Sequence, residues 1–537
     1  MTESVQIFET FAAATVEDLL VRQPVLASSL GDHRYDDRLD DLRPDALADE
    51  RRALTGRLAE LRAFDDVELP AAHRVDAEVL DVRLRERLLE IADDGEHTWN
   101  PLVANPGSAL YLLIARDFAP LDERLRNAGG RLEQIPEQLE AARSALHQMP
   151  RVHVETAIGQ FGGTLGLLDD IGRELDGVRP EIRTSVAPAV DAAREALTTH
   201  VGWLQEQLDS ADADPRLGRE RFARKLALVL DVEMSPEQVL QAATDELARV
   251  EEQLAEVAAQ LGGTPKEVLD RLAADAPDND TVVAIANQAL AEATAFVREH
   301  DLITMYDDPV EVIVMPEIHR GVAIAYCDPP GPLDPPGTTT FFAISPTPTD
   351  WPAERVASFY REYNAHALRN LVIHEAMPGH VLQLAHSRRG EVATKVRQTF
   401  WSGPFVEGWA VYAEQRMVHH GFGGPQVHMQ QLKMRLRSGI NALLDVRVHC
   451  DNLTEAEAMA LMTGRGYQEE GEAAGKWRRA QLTSTQLSTY FVGAAQVTDI
   501  VGRVRTRNPA WSEQQVHDAV LSHGNPPARH LPSLLGV

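Results

Sequence analysis

The segment Leu371-Val-Ile-His-Glu-Ala-Met-Pro-Gly-His-Val-Leu-Gln383 sets an adjacent His and Glu in an apolar helical stretch and a second His six residues on. In the H-E-x-x-H pattern the two histidines lie four apart on one helical face and bind zinc, while the Glu serves as general base. Here the second His comes two residues late. A step of six on an undistorted helix turns a side chain about 120° from the first, so His374 and His380 would not converge. Pro378 and Gly379 supply a distortion: Pro lacks an amide hydrogen and clashes with the preceding turn, and Gly relaxes the backbone limits. The spacing therefore predicts a kink or π-type bulge just before His380. A second segment, Phe405-Val-Glu-Gly-Trp-Ala-Val-Tyr-Ala-Glu-Gln415, is helical and carries carboxylates at Glu407 and Glu414. A catalytic zinc held by two His and one carboxylate takes that carboxylate from a neighbouring helix and keeps one position open. Either Glu could provide it. Glu375, about 100° round the helix from His374, stands where it can reach water beside the metal.

The segments HEAMPGHVLQ and EGWAVYAEQ resemble the hallmark stretches of the bacterial domain-of-unknown-function 885 family. Its members are similar to Glu-zincin peptidases of the thimet oligopeptidase and Taq carboxypeptidase kind. The likeness covers most of the chain and includes Ala27 to Asp41, the Asp445-x3-His449 pair and Thr485 to Gly493. It implies a mainly α, multi-helix metallopeptidase-like fold with a small β-sheet beside a deep active-site cleft. It favours His374, His380 and Glu407 as zinc ligands, with Glu414 orienting a ligand histidine. It also implies that Tyr490 or His449, from the C-terminal region, donates to the oxyanion of the tetrahedral intermediate. Arg435, Arg437, Arg447, Arg478 and Arg479 could include a clamp for a substrate carboxylate, although in so acidic a chain most arginines serve as structural ion pairs.

With 52 Lys and Arg against 82 Asp and Glu, the 537-residue chain carries a net charge of −30. That excludes a nucleic-acid or anionic-membrane partner, which needs a basic face. Two cysteines, Cys327 and Cys450, build neither a disulfide framework nor a thiolate zinc site. The first residues, Met1 to Ala14, carry acids and no signal-like apolar run, and no long apolar stretch follows. A cytoplasmic protein is expected.

From Val16 to about Asp301 the pattern is helical, with core stripes such as Val75, Val79, Val82 and Leu89, and Leu247, Val250, Leu254, Val257 and Leu261. Ser235-Pro-Glu-Gln238 and Thr264-Pro-Lys-Glu267 read as capping boxes, and Gly262-Gly263 as a helix stop. The Asp32 to Arg43 stretch reads as a solvated loop or a lip over a cleft. Three short strands are expected at Val312–Met315, Val322–Tyr326 and Thr338–Ile344, the last as an edge strand open to a peptide. The Pro-rich stretch Asp328 to Gly337 reads as a cover, a crossover or a plain surface loop. The division expected is a helical region, 1–301, and a zinc-binding region, 302–537.

Together these features predict a zinc hydrolase that cuts short peptides. The alternatives are a zinc amidase or esterase acting on a small molecule, and a catalytically silent helical binding protein. Glu375 argues for an enzyme, because a structural zinc site fills all four positions and has no use for a base.

Overall fold

Helix starts follow the capping chemistry. The Ser235 Oγ accepts from the Gln238 amide at 3.3 Å, and the Gln238 side chain accepts from the Ser235 amide at 2.7 Å. This box opens the Pro236–Gln260 helix; the Thr264–Glu267 box opens Pro265–Leu272, and Gly262, at φ +76°, closes the helix between them. The computed structural model describes residues 3–65, 68–315 and 324–537. Among them the chain is helical from Glu3 to Glu299, broken by short turns and 3-10 segments.

Three strands follow: β1 (Val310–Val314), β2 (Ala325–Asp328) and β3 (Thr340–Ile344). Their order is β1-β3-β2, with β3 parallel to β1 and antiparallel to β2. The strand expected at an edge is therefore central, because β3 pairs on both sides through Val310↔Thr340 and Ala325↔Ile344. The expected Val322–Tyr326 strand is seen from Ala325; Val322 and Ala323 lie outside the described residues. Helices resume at Ala353 and run to Leu535.

Four apolar cores hold these elements; one, from Leu39 to Ala211, lies wholly before residue 301, and the other three cross it. Leu247, Val250 and Leu254 are buried with Leu432, Leu436 and Ile440 of the Gly424–Asp451 helix, while Val282 to Val297 pack with Leu368, Trp409 and Val520. A fully buried Leu or Val contributes roughly 1.5–3 kcal/mol, so these shared cores tie the two regions firmly. An ion pair with both side chains fully buried joins Asp76 to Arg397, and Asp76 also accepts from the Thr394 amide at 2.9 Å. Near residue 301 the secondary structure changes from helices to strands, and three of the four cores continue across it.

Candidate metal centre

The helix bearing His374 begins at Ala365, capped by the Asn364 side chain, which accepts from the amides of His366 and Ala367 at 3.2 Å. It stops at Glu375, and a second helix starts at His380. The kink or π-bulge expected within one helix is instead a complete break, with a cis Met377–Pro378 peptide in the turn. Gly379 is indispensable there. Its amide donates to the Ile373 carbonyl at 2.9 Å, and a Cβ at this position would lie 1.9 Å from the His374 carbonyl oxygen. The Trp409 indole N–H donates to the Pro378 carbonyl at 2.9 Å and holds the turn from the next helix. As a result the two imidazoles lie 4.8 Å apart, centre to centre, with their planes at 85°.

Glu407 and Glu414 sit on the Gly403–His419 helix, which Ser402 caps by accepting from the Phe405 amide. Seven residues make almost two turns, so both carboxylates face the His374 helix. Glu414 Oε1 lies 2.7 Å from His374 Nδ1, and its other oxygen accepts from Asn370 Nδ2 at 2.7 Å. Nδ1–H is thereby committed, and Nε2 is the nitrogen left to face a cation. Glu407 Oε2 lies 3.4 Å from His374 Nε2 and 3.7 Å from His380 Nε2. It is buried without a hydrogen-bond partner, as is His380 Nδ1.

Ligand atoms of His374, His380 and Glu407 all lie within 4.8 Å of one another. Two ligands each about 2.0–2.1 Å from one tetrahedral zinc stand roughly 3.4 Å apart, close to the two separations from Glu407 Oε2. The partnerless carboxylate oxygen, two imidazole nitrogens and one carboxylate fit a zinc ion. Burial opposes ionisation of Glu407, but the two imidazoles overcome it and hold its carboxyl well below the usual range. Burial likewise opposes protonation of His374, and Glu407 and Glu414 reverse it, so a proton is favoured where a cation would sit. Cys327 offers no thiolate, since burial and then Glu375 push its thiol well above the ordinary value.

The three residues line a cavity of 470 Å³ with Glu375, Tyr326, Cys327 and Tyr490. Glu375 Oε2 accepts from the Cys327 amide of β2 at 3.0 Å, so the strand aims the carboxylate. Burial raises the Glu375 carboxyl above its ordinary value, which favours a group that accepts a proton and keeps it. The Tyr490 hydroxyl accepts from Arg479 at 3.3 Å and from Gln486 at 3.3 Å, which leaves its own proton to donate. His449 is not at the site, and its expected oxyanion role is corrected. Its Nδ1 accepts from the Leu217 amide at 3.2 Å and its Nε2 donates to the Thr483 carbonyl at 2.9 Å, so a buried ring has both nitrogens in use. Arg435 pairs with Glu246 and Arg478 lies 3.7 Å from Glu155, whereas Arg437 and Arg479 line the cavity.

A second cavity of 660 Å³ shares Pro329, Leu384, Trp401, Gly403 and Glu407 with the first. Its walls include Ser28 to Leu30, His33 and the Asp328–Asp334 loop; of the acidic early stretch only His33 reaches it, while Arg38 to Arg43 line a separate cavity. The Leu333 amide donates to the Leu30 carbonyl at 2.9 Å, and His33 lies between Asp36 at 2.9 Å and Asp334 at 3.2 Å. Trp401, 55% exposed, stands where the two cavities meet. The motifs did not single out Trp401, Asn370 or Lys476, since isolated residues of these types carry no spacing signal.

These features define a mainly helical protein with a small three-stranded sheet and a partly buried His-His-Glu cluster at a cleft. The chain belongs to the family described as bacterial protein of unknown function (DUF885), whose model matches residues 24–535. No curated protein matches the sequence. A solved structure described as a "putative lipoprotein of unknown function" from Shewanella oneidensis is 28% identical, with a TM-score of 0.82 over 99% of this chain and 100% of that one. A second, a "putative lipoprotein" from Colwellia psychrerythraea, is 17% identical, with a TM-score of 0.81 over 100% of this chain and 99% of that one, and shares the fold. M32 carboxypeptidase from Deinococcus radiodurans R1 is 12% identical with a TM-score of 0.34, over 93% of this chain and 96% of that one, too distant to bear on function. The expectation of a cytoplasmic protein is corrected, since the 28% identical Shewanella oneidensis protein is described as a lipoprotein. No described helix is long and apolar enough to cross a membrane.

Proposed function

We propose that the chain is a zinc-dependent hydrolase that cleaves peptide bonds in short peptides. The observation that carries this reading is the convergence of His374, His380 and Glu407, within 4.8 Å, in a cavity that is also lined by Glu375. His374 and His380 through Nε2, and Glu407 through Oε2, would hold the ion. When bound, zinc supplies a Lewis acid that polarises a carbonyl and acidifies water. Glu375, aimed by the Cys327 amide, takes the proton from the attacking water and can pass it to the leaving nitrogen. The Tyr490 hydroxyl donates towards the carbonyl oxygen as charge develops there. Glu414 and Asn370 keep the His374 ring in place. Two joined cavities, meeting at Glu407 and Trp401, suit an extended peptide running through the site better than a compact small molecule. The cleft is proposed for a peptide alone, with no nucleic acid.

Elemental analysis of the purified chain tests the reading together with turnover of a mixed peptide pool. About one zinc per chain is expected, with cleavage abolished by a chelator. Glu375→Gln should keep the zinc and lose nearly all cleavage, while His380→Ala should lose both. Less than about 0.2 zinc after zinc-supplemented preparation, or an active Glu375→Gln variant, would overturn it.

A further inference from the structure

The Glu470–Leu482 helix places Lys476 and Arg479, three residues apart and so on one face, along the cavity that holds His374, Glu375, His380 and Glu407. The other charges on this wall are matched. Lys433 Nζ lies 2.9 Å from Glu362 Oε2, Arg437 pairs with Glu472, and the Tyr363 hydroxyl donates to Glu472 at 3.0 Å. Glu362 also accepts from the Glu469 amide at 2.9 Å. Lys476 and Arg479 are left over. Arg479 donates to the Gln486 side chain at 2.7 Å and to the Tyr490 hydroxyl, both neutral acceptors. Lys476, only 6% exposed, makes no hydrogen bond or ion pair among the described residues.

In a chain with 82 acids for 52 Lys and Arg, a buried lysine with no ion pair of its own goes against composition; its acidic neighbours Glu472 and Glu362 are held by Arg437 and Lys433. Burying an ammonium unpaired is costly, and the usual compensation is an anion within hydrogen-bond reach. Burial, and then the neighbouring Arg437, push this ammonium well below its ordinary value, which an incoming anion would reverse. We infer that Lys476 and Arg479 form a seat for a carboxylate of the substrate, with Lys476 as the point charge and the Arg479 guanidinium as the planar donor. The inference rests on the peptide-hydrolase reading of the same cavity and narrows it to carboxylate-bearing peptides. The carboxylate is either the α-carboxylate of a C-terminal residue or the side chain of Asp or Glu.

Calorimetric titration of the metal-free, full-length chain tests this without turnover. The probes are N-acetyl-dialanine, its C-terminal amide, and the amide of N-acetyl-Ala-Glu, which carries a side-chain carboxylate alone. At least one carboxylate probe should bind about tenfold or more tighter than the neutral amide, as a charge-assisted contact provides. Preference for N-acetyl-dialanine identifies the C-terminal carboxylate, and preference for the Glu probe identifies an acidic side chain. Lys476→Met should erase the advantage with the melting temperature unchanged or higher, since it replaces an unpaired buried charge by an apolar chain of similar length. Lys476→Arg should keep part of it. Equal binding of all three probes, no binding, an advantage undiminished in Lys476→Met, or a fall in that variant's melting temperature would each overturn the inference. Absent zinc or absent cleavage would instead overturn the hydrolase reading and leave a selective carboxylate site standing.

Discussion

The backbones of Gly408 and Gly493 are in direct contact: a Cβ on Gly408 would lie 2.2 Å from the Gly493 carbonyl carbon, and one on Gly493 would lie 1.9 Å from the Pro404 carbonyl oxygen. This crossing sets the depth at which Glu407, one residue before Gly408, and Tyr490, three before Gly493, face each other's cavity. Gly408→Ala should therefore cost more than the about 1–3 kcal/mol of an ordinary overpacked site, because backbone and not a side-chain tip must give way. Zinc affinity should fall with it. Gly502→Ala, on the Thr489–Arg507 helix that carries Gly493 and with nothing within 4 Å, should stabilise by up to about 1 kcal/mol through helix propensity alone. Thermal melts and zinc titration of the two variants check the contrast, and equal effects would refute it.

The two carboxylates of the Gly403–His419 helix should separate cleanly in metal binding. Glu407→Ala removes the oxygen that faces both Nε2 atoms and should abolish zinc binding. Glu414→Ala leaves the three donor atoms but frees the His374 ring, and should weaken binding about 10–100-fold. Zinc titration of the apo variants decides, and the reverse order would make Glu414 the ligand.

Tyr490→Phe deletes one hydroxyl and keeps the ring. Turnover should drop about 10²–10³-fold with little change in KM, because the contact strengthens only as charge develops. His449→Ala should behave differently. It strips partners from the Leu217 amide and the Thr483 carbonyl, so the melting temperature should fall while the folded fraction keeps its turnover. A variant pair with these phenotypes exchanged would restore His449 to the chemistry.

Acid sensitivity should come in part from His200, fully buried with neither ring nitrogen hydrogen-bonded and packed on Phe161 and Trp203. Burial, and then Arg143, lower it from 6.5 to about 4. As pH falls below 6.5 the unfolded chain takes up a proton that the folded chain refuses until about 4, so stability is lost across that window. The loss is roughly 3 kcal/mol at most for this one group. Urea midpoints of the metal-free chain at pH 7 and pH 5 should converge in His200→Leu relative to wild type. Parallel losses in the two proteins would place the acid sensitivity elsewhere.

Local chemistry alone determined much of this molecule. The Ser235 and Thr264 capping boxes, the Leu247 to Val257 stripe and the existence of a three-stranded interruption depend on neighbours within a few residues, and such short-range energies are readable from order alone. Donor type and helical spacing pointed to His374, His380 and a carboxylate of the next motif, Glu407 or Glu414, and the family resemblance favoured Glu407, which stands with the two histidines. Tertiary structure decided the rest. Only packing makes β3 central, since strand order depends on which partners the chain brings back over long separations. Pro378 and Gly379 foretold a distortion, yet its extent depends on Trp409, thirty-one residues away, holding the Pro378 carbonyl. His449 lay in a family-like stretch, but the Phe222 ring and the Leu217 amide enclose it from the other half of the chain. Lys476 went unnoticed for the same reason: a lysine among helix residues looks solvated until the fold buries it and commits its acidic neighbours to Lys433 and Arg437.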